Sequence, residues 1–177
     1  MNKRILLATG AAILTLAAMS GIHNANAVTT SGDVEATILQ TITLTAVDEL
    51  DFGSLSASGV AGTVVISTAG ARSFTGGVTL VAGGGENNGT FNLDGADGYT
   101  VTVDVPASDT VVSGTDNMTV NGFIYSYNAG TDNAGNGTAV LAAGGPHVLS
   151  VGATLNVAIN QPAGQYQGAY DVTVNYQ

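Results

Sequence analysis

The chain has no cysteine and no tryptophan, only three prolines, and three Lys and Arg against 13 Asp and Glu in 177 residues. Without cysteine there is no disulfide staple, thiol nucleophile, thiolate-held zinc, iron–sulfur cluster or lipidated cysteine anchor. Lys3, Arg4 and Arg72 are its cations, so Schiff-base chemistry and a phosphate-loop lysine have no residue to use beyond position 3. Nucleic-acid binding needs Lys and Arg to neutralise phosphates, and a formal net charge of −10 repels them instead. Aromatic residues make up 6% of the chain, too few for the ring-stacking cleft of most sugar-processing enzymes. What is present is 25 glycines and a hydrophobic fraction of 45%, enough for one core in a domain of this length.

The first residues read as an export signal. Met1-Asn2-Lys3-Arg4 is a short positive region, Ile5 to Met19 is apolar, and Ala25-Asn26-Ala27 supplies a small-residue cleavage site. Cleavage after Ala27 would start the mature chain at Val28 and make residues 1–27 a signal peptide. Taking 27 residues from 177 leaves 150, in which one Arg stands against thirteen carboxylates, a formal charge of −12. No later stretch approaches the roughly 18 to 20 apolar residues of a membrane-spanning helix, so a soluble or surface-assembled exported protein is expected.

After Val28 the pattern is strands and turns. Apolar and polar residues alternate in Val34 to Ile38, Thr41 to Leu44, Tyr99 to Val105 and Ala169 to Tyr176, the period of a half-buried strand. Thr63 to Ser67, Gly77 to Val81, Thr90 to Leu93, Met118 to Tyr127, Thr138 to Leu141 and His147 to Ile159 are further candidates, rich in Val and Thr. Gly, Asn and Asp clusters separate them, as tight turns require. No window carries a helical apolar stripe. Nine or ten short strands predict an all-β fold, an antiparallel β-sandwich, with a barrel as the second choice.

Chemistry finds little to work with. His147, next to Pro146, has no nucleophile or metal partner in the pattern, and no catalytic residue, cofactor or enzyme activity is expected. Asp94-Gly95-Ala96-Asp97-Gly98 and Thr131 to Gly137 offer calcium-type oxygen ligands. Ordinary Asx turns account for the same residues, and neither loop has a helix–loop–helix or nonapeptide spacing.

The ends carry more information. Val34, Ala36, Ile38, Ile42 and Leu44 share one parity, and Glu35, Thr37, Thr41, Thr43 and Thr45 the other. Eleven residues at about 3.3 Å each exceed an ordinary sandwich strand, so this ribbon is two strands, a strand with an arm, or one long strand crossing between sheets. At the other end Tyr170, Val172, Val174 and Tyr176 alternate to the penultimate residue. A chain ending inside a strand leaves an edge that an earlier strand must cover or that another chain can extend.

Leu50-Asp51-Phe52-Gly53-Ser54-Leu55, Gly76-Gly77 before Val78-Thr79-Leu80, and the closing Ala163 to Tyr176 resemble the bacterial secreted domain-of-unknown-function family DUF4402. The layout is also similar to subunits of chaperone–usher pili, especially the archaic, spore-coat-U-like type. Tyr176 is penultimate and Gly164 is fourteenth from the end, as in pilins generally. The cysteine pair frequent in pilins is missing. The resemblance implies an immunoglobulin-like sandwich lacking its last strand, capped first by a periplasmic chaperone, delivered by an outer-membrane usher, and completed by the arm of an identical or related subunit. On this reading residues 28–38 are a donor strand with Thr30, Gly32, Val34, Ala36 and Ile38 facing the neighbour. Residues 39–177 are the sandwich; Gly164, Tyr170, Val172, Val174 and Tyr176 line the acceptor edge, with the Gln177 carboxylate as the chaperone's anchor.

The function implied is that of a structural subunit of a surface fibre. The alternative is a monomeric secreted sandwich that binds carbohydrate or a surface partner, its N-terminal ribbon serving as its own first strand. A stable monomer obtained without a chaperone would favour that alternative. An eight-stranded outer-membrane barrel is disfavoured, because aromatics are too few for two girdles.

Overall fold

The computed structural model describes residues 26–177, which separate into two units between Ala36 and Thr37. The expected signal region up to Ala25 lies outside the described residues. Residues 26–41 carry no strand, and Val28, Val34 and Ile38 are 93%, 94% and 96% exposed.

Residues from Thr37 onward form an antiparallel sandwich, with no helix among the described residues. The larger sheet is built on β10 (His147–Val157). One edge of β10 pairs with β7 (Asp116–Tyr127). Its other edge is shared by β4 (Gly89–Asp94) and β2 (Leu55–Ile66). Beyond β4 lies β1 (Thr43–Asp48), and beyond β2 lies β3 (Arg72–Leu80). The outer edge of β7 takes β6 (Ser108–Ser113) and the two-residue β8 (Asn133–Ala134). The smaller sheet runs β11 (Thr173–Tyr176), β5 (Thr100–Asp104), β9 (Asn136–Val140).

The alternation read from the sequence is the burial pattern. Val101 and Val103 of β5 face Leu149, Val151, Ala153, Leu155 and Val157 of β10 in one core, with Leu93, Val64 and Leu141. Each fully buried aliphatic side chain stabilises the fold by about 1.5–3 kcal/mol. In β7 the buried parity changes from Met118 and Val120 to Phe123 and Tyr125. Gly122, at φ 60, absorbs the extra residue where the pairing with β10 shifts register.

Three features depart from the sequence expectations. Thr63 to Ser67 and Gly77 to Val81 are parts of a longer β2–β3 hairpin, interrupted where the pairing jumps from Ala57 to Gly62. A Cβ on Gly62 or Gly76 would collide with the facing backbone, so glycine lets the two strands close over this bulge. β6 was not among the expected strands; it forms along the edge that β7 provides. The two terminal ribbons give strands only over Thr43–Asp48 and Thr173–Tyr176. Alternation marks which residues prefer a half-buried pleat; a strand also needs a neighbour to pair with.

Candidate functional site

The two sheets are joined differently at their two sides. On one side the chain passes from β8, paired with β7, through Gly135 (φ 66) to β9, paired with β5. A single segment thus switches sheets and closes that side. On the other side β1 ends the larger sheet and β11 ends the smaller one; β1 has β4 and β11 has β5 as its strand partner, each on one edge only. Between them lies a groove of about 640 Å³ whose walls are Leu39 to Ile42 with Leu44, and Val172 to Tyr176.

The walls follow from the side-chain parity. Ile42, just before β1, and Leu44 within it lean on the core, as do Val172, Val174 and Tyr176 from the C-terminal segment, while Thr41, Thr43, Thr173 and Asn175 are exposed. The groove therefore has an apolar floor between two half-paired backbone edges, the combination that accepts an extended peptide.

One end of the groove is tied shut. The Tyr176 hydroxyl donates to the Gln40 carbonyl at 2.7 Å and accepts from the Ala96 N–H at 2.6 Å. The Gln40 amide donates to Asp94 Oδ2 at 3.1 Å, and the other Asp94 oxygen accepts from the Gly95 N–H at 3.0 Å. A Cβ on Gly95 would come within 2.9 Å of the Tyr176 hydroxyl, so the glycine makes room for it. The Asp94 to Gly98 loop, weighed above as a calcium ligand, thus spends both Asp94 oxygens within the protein. In the second such loop Asp132 Oδ1 accepts from Thr68 Oγ1 at 2.6 Å. Among the described residues no group of three or more His, Asp or Glu is placed to hold a metal ion.

The expected acceptor residues divide. Val174 and Tyr176 lie in β11 and Val172 precedes it, all three lining the groove. Gln177 continues the pairing, donating its N–H to the Thr100 carbonyl at 3.0 Å. Tyr170 is instead wedged inward, its ring 6.1 Å from Phe91 and 5.3 Å from Phe123. Burial pushes its pKa up to about 12. Gly164 sits against Ser113 at the end of β6, away from the groove. The segment between them bridges to β6, Gln167 exchanging backbone hydrogen bonds with Val112 at 2.8 and 3.0 Å. Of the expected donor residues, Thr30, Gly32, Val34, Ala36 and Ile38 are all exposed. So are Ala27 and Val28 at the expected cleavage point.

Gln40, Asp94, Gly95 and Ala96 were not singled out as groove residues by the sequence. Their link to Tyr176 spans up to 136 positions, and no local pattern encodes it. His147 is buried, its ring tilted against Tyr127 with centroids 5.2 Å apart, and bonded through Nδ1 to the Asn128 amide at 3.1 Å. Asn128 in turn accepts from the Val148 N–H, so this histidine anchors a turn. A second depression, of about 590 Å³, is lined by residues of β2, β3, β7 and β10 and by Gln161. Its Asn156 and Gln161 amides already donate to the Thr119 and Asn117 carbonyls.

A family model described as "Domain of unknown function (DUF4402)" matches residues 42–176, which contain β1 to β11 entire. No curated protein and no solved structure matches the chain.

Proposed function

Since the chain belongs to the DUF4402 family, whose description assigns no activity, we propose from its geometry that it is a structural subunit of a cell-surface fibre. Subunits join when residues 28–38 of one copy enter the groove between β1 and β11 of the next. The supporting observation is the one-sided closure of the sandwich: β8 and β9 seal one side, while the other presents an apolar groove between two half-paired edges.

The occupant is argued from chemistry. Val34, Ala36 and Ile38 fall on one parity, so an extended backbone would direct all three toward the groove floor while hydrogen bonding to its edges. Val34 and Ile38 are also among the most exposed apolar side chains of the described residues. The resemblance to pilins adds a signal-directed export, an immunoglobulin-like incomplete sandwich, a periplasmic chaperone that covers the groove in transit and an outer-membrane usher. A chaperone with a cationic surface would suit a chain this acidic.

Replacing Val34 and Ile38 together by Asp tests the reading. Burying two carboxylates in a dry groove costs several kcal/mol, so export should continue while detergent-resistant ladders disappear on gels of unheated samples. Unchanged ladders would overturn the proposal. A stable monomer of the unmodified chain, purified without any chaperone, would favour the alternative of a secreted binding module.

A further inference from the structure

We infer that Gln40 keeps the arm out of its own groove, so that residues 28–38 are left for a second copy of the chain. The inference rests on the proposal that this segment fills the groove between β1 and β11, and it names the molecule that receives it.

Something must exclude the arm from the nearest groove, which is its own. The arm is joined directly to one wall, since Leu39 to Ile42 line the groove. So short a tether holds a segment at an effective concentration on the order of mM, above that of any subunit in dilute solution. Insertion within one chain would therefore win unless geometry opposes it, and its product would be a closed monomer with nothing left to donate.

The geometry at Gln40 opposes it. Its carbonyl accepts from the Tyr176 hydroxyl at 2.7 Å, and its side-chain amide donates to Asp94 Oδ2 at 3.1 Å. Backbone and side chain are thus both held, and Tyr176 is itself fixed by the Ala96 N–H at 2.6 Å. Only Leu39 stands between Gln40 and Ile38. To lay Ile38 beside its own wall, the chain must reverse in the tightest hairpin, with Leu39 and Gln40 as the central residues. The favoured forms of that turn need positive φ. Among the described residues the non-glycines with positive φ are Asn128, Ala129 and Asn160, so neither Leu39 nor Gln40 takes the turn conformation. Imposing it would re-aim the Gln40 peptide and release it from Tyr176. A reversal begun earlier, with Thr37, Ile38 and Leu39 as the loop, spares Gln40 but leaves Ile38 outside the groove. Insertion into a second copy meets neither conflict: Val34, Ala36 and Ile38 enter together while Gln40 stays tied to its own Tyr176 and Asp94.

The test compares the mature chain with the double variant Leu39→Asn, Gln40→Gly, which removes the Gln40 side chain and installs the residue pair that the tight hairpin favours. Species are separated by size, resistant ladders are read on unheated gels, and hydrogen exchange reports whether the amides of residues 34–38 are protected. In the unmodified chain protection should be confined to the ladder species. In the variant the ladder fraction should fall at least about tenfold, because the tethered arm now wins at micromolar protein, and the monomer should carry the protected arm. Lost stability alone would protect no monomer's arm. If the double variant fails to fold, Gln40→Gly alone removes the side-chain tie and permits the turn, with the same outcome expected. Ladders undiminished in the variant, ladders lost without a protected monomer, or a protected arm in the unmodified monomer would each overturn the role of Gln40 and leave the groove reading standing. Arms unprotected in every species of both chains would overturn the groove reading itself.

Discussion

Arg72 shows how much a single residue can hold in a chain with so few cations. Its side chain is 6% exposed, and the guanidinium donates to the Phe52, Ser54 and Val81 carbonyls while pairing with Glu86 at 3.2 Å. Two of those partners, Phe52 and Ser54, belong to the corner formed by Leu50 to Leu55, and Val81 and Glu86 lie beside it. Asp51 caps the Gly53 N–H at 2.7 Å and exchanges backbone bonds with Asn87, and Gly53 takes φ 69. The Leu-Asp-Phe-Gly run that carried the family resemblance is thus a turn locked by an arginine 18 to 20 positions away. The sequence offered the turn through Asp and Gly at fixed offsets, and it offered the arginine only as an odd charge. Nothing local links the two. Replacing Arg72 by Met keeps the apolar stem and leaves three carbonyls and a carboxylate without their donor. Unfolding in urea should show a loss of about 2–4 kcal/mol. Arg72→Lys should recover only part of it, since one ammonium cannot reproduce the planar fork. A loss below about 1 kcal/mol would mean that water satisfies the corner equally well.

At the scale of elements, the strands were legible wherever a strand's own residues decided its burial. β5 follows the alternation throughout and β10 does so except at Gly152, and both lie in predicted runs. Elements decided by a partner were not legible. β6 exists because β7 pairs with it, and Gly122 reverses parity inside β7. The C-terminal ribbon is the instructive case. Its strict alternation from Tyr170 to Tyr176 survives as half-buried side chains, yet only Thr173–Tyr176 is strand. Residues before it cross from the edge of β6 to the edge of β5, and Tyr170 plugs the crossing against Phe91 and Phe123. Burial raises the Tyr170 pKa to about 12 from 10.0. The unfolded chain ionises this phenol first, so its contribution is complete below pH 10 and is lost as pH rises from about 10 to about 12. Burial also raises the pKa of Tyr125 and Tyr127, adding to the same loss. Stability measured against pH should therefore fall across this window, and Tyr170→Phe should flatten the fall while changing neutral-pH stability little. A variant with an unaltered alkaline slope would show that the phenol is hydrated in the fold.

At the scale of the molecule, charge and topology act against each other. Removing a basic N-terminus leaves a formal charge of −12, yet the proposed assembly brings such chains together, and the donor segment itself carries Asp33 and Glu35. The charge was readable from composition. The groove that would draw the chains together was not, because it depends on which two strands end the sheets. The groove is lined by apolar side chains together with the uncharged Gln40, Thr41, Thr173 and Asn175, so the attraction there is short-ranged, while the repulsion acts at long range. Their different reach separates them in a rate measurement. Raising salt from about 10 mM to 150 mM shortens the screening length from roughly 30 Å to 8 Å. The association rate of a 28–38 peptide with a mature chain whose own arm carries Val34→Asp and Ile38→Asp should therefore rise with salt, and its dissociation rate should change little, since no charged side chain lines the groove. A rate that falls with salt would mean that the acidic peptide is steered by a local positive field. Arg72, the one Lys or Arg beyond the first four residues, is 6% exposed and already paired with Glu86, so no arginine or lysine of the mature chain is free to supply that field, and such a result would overturn the picture of long-range repulsion.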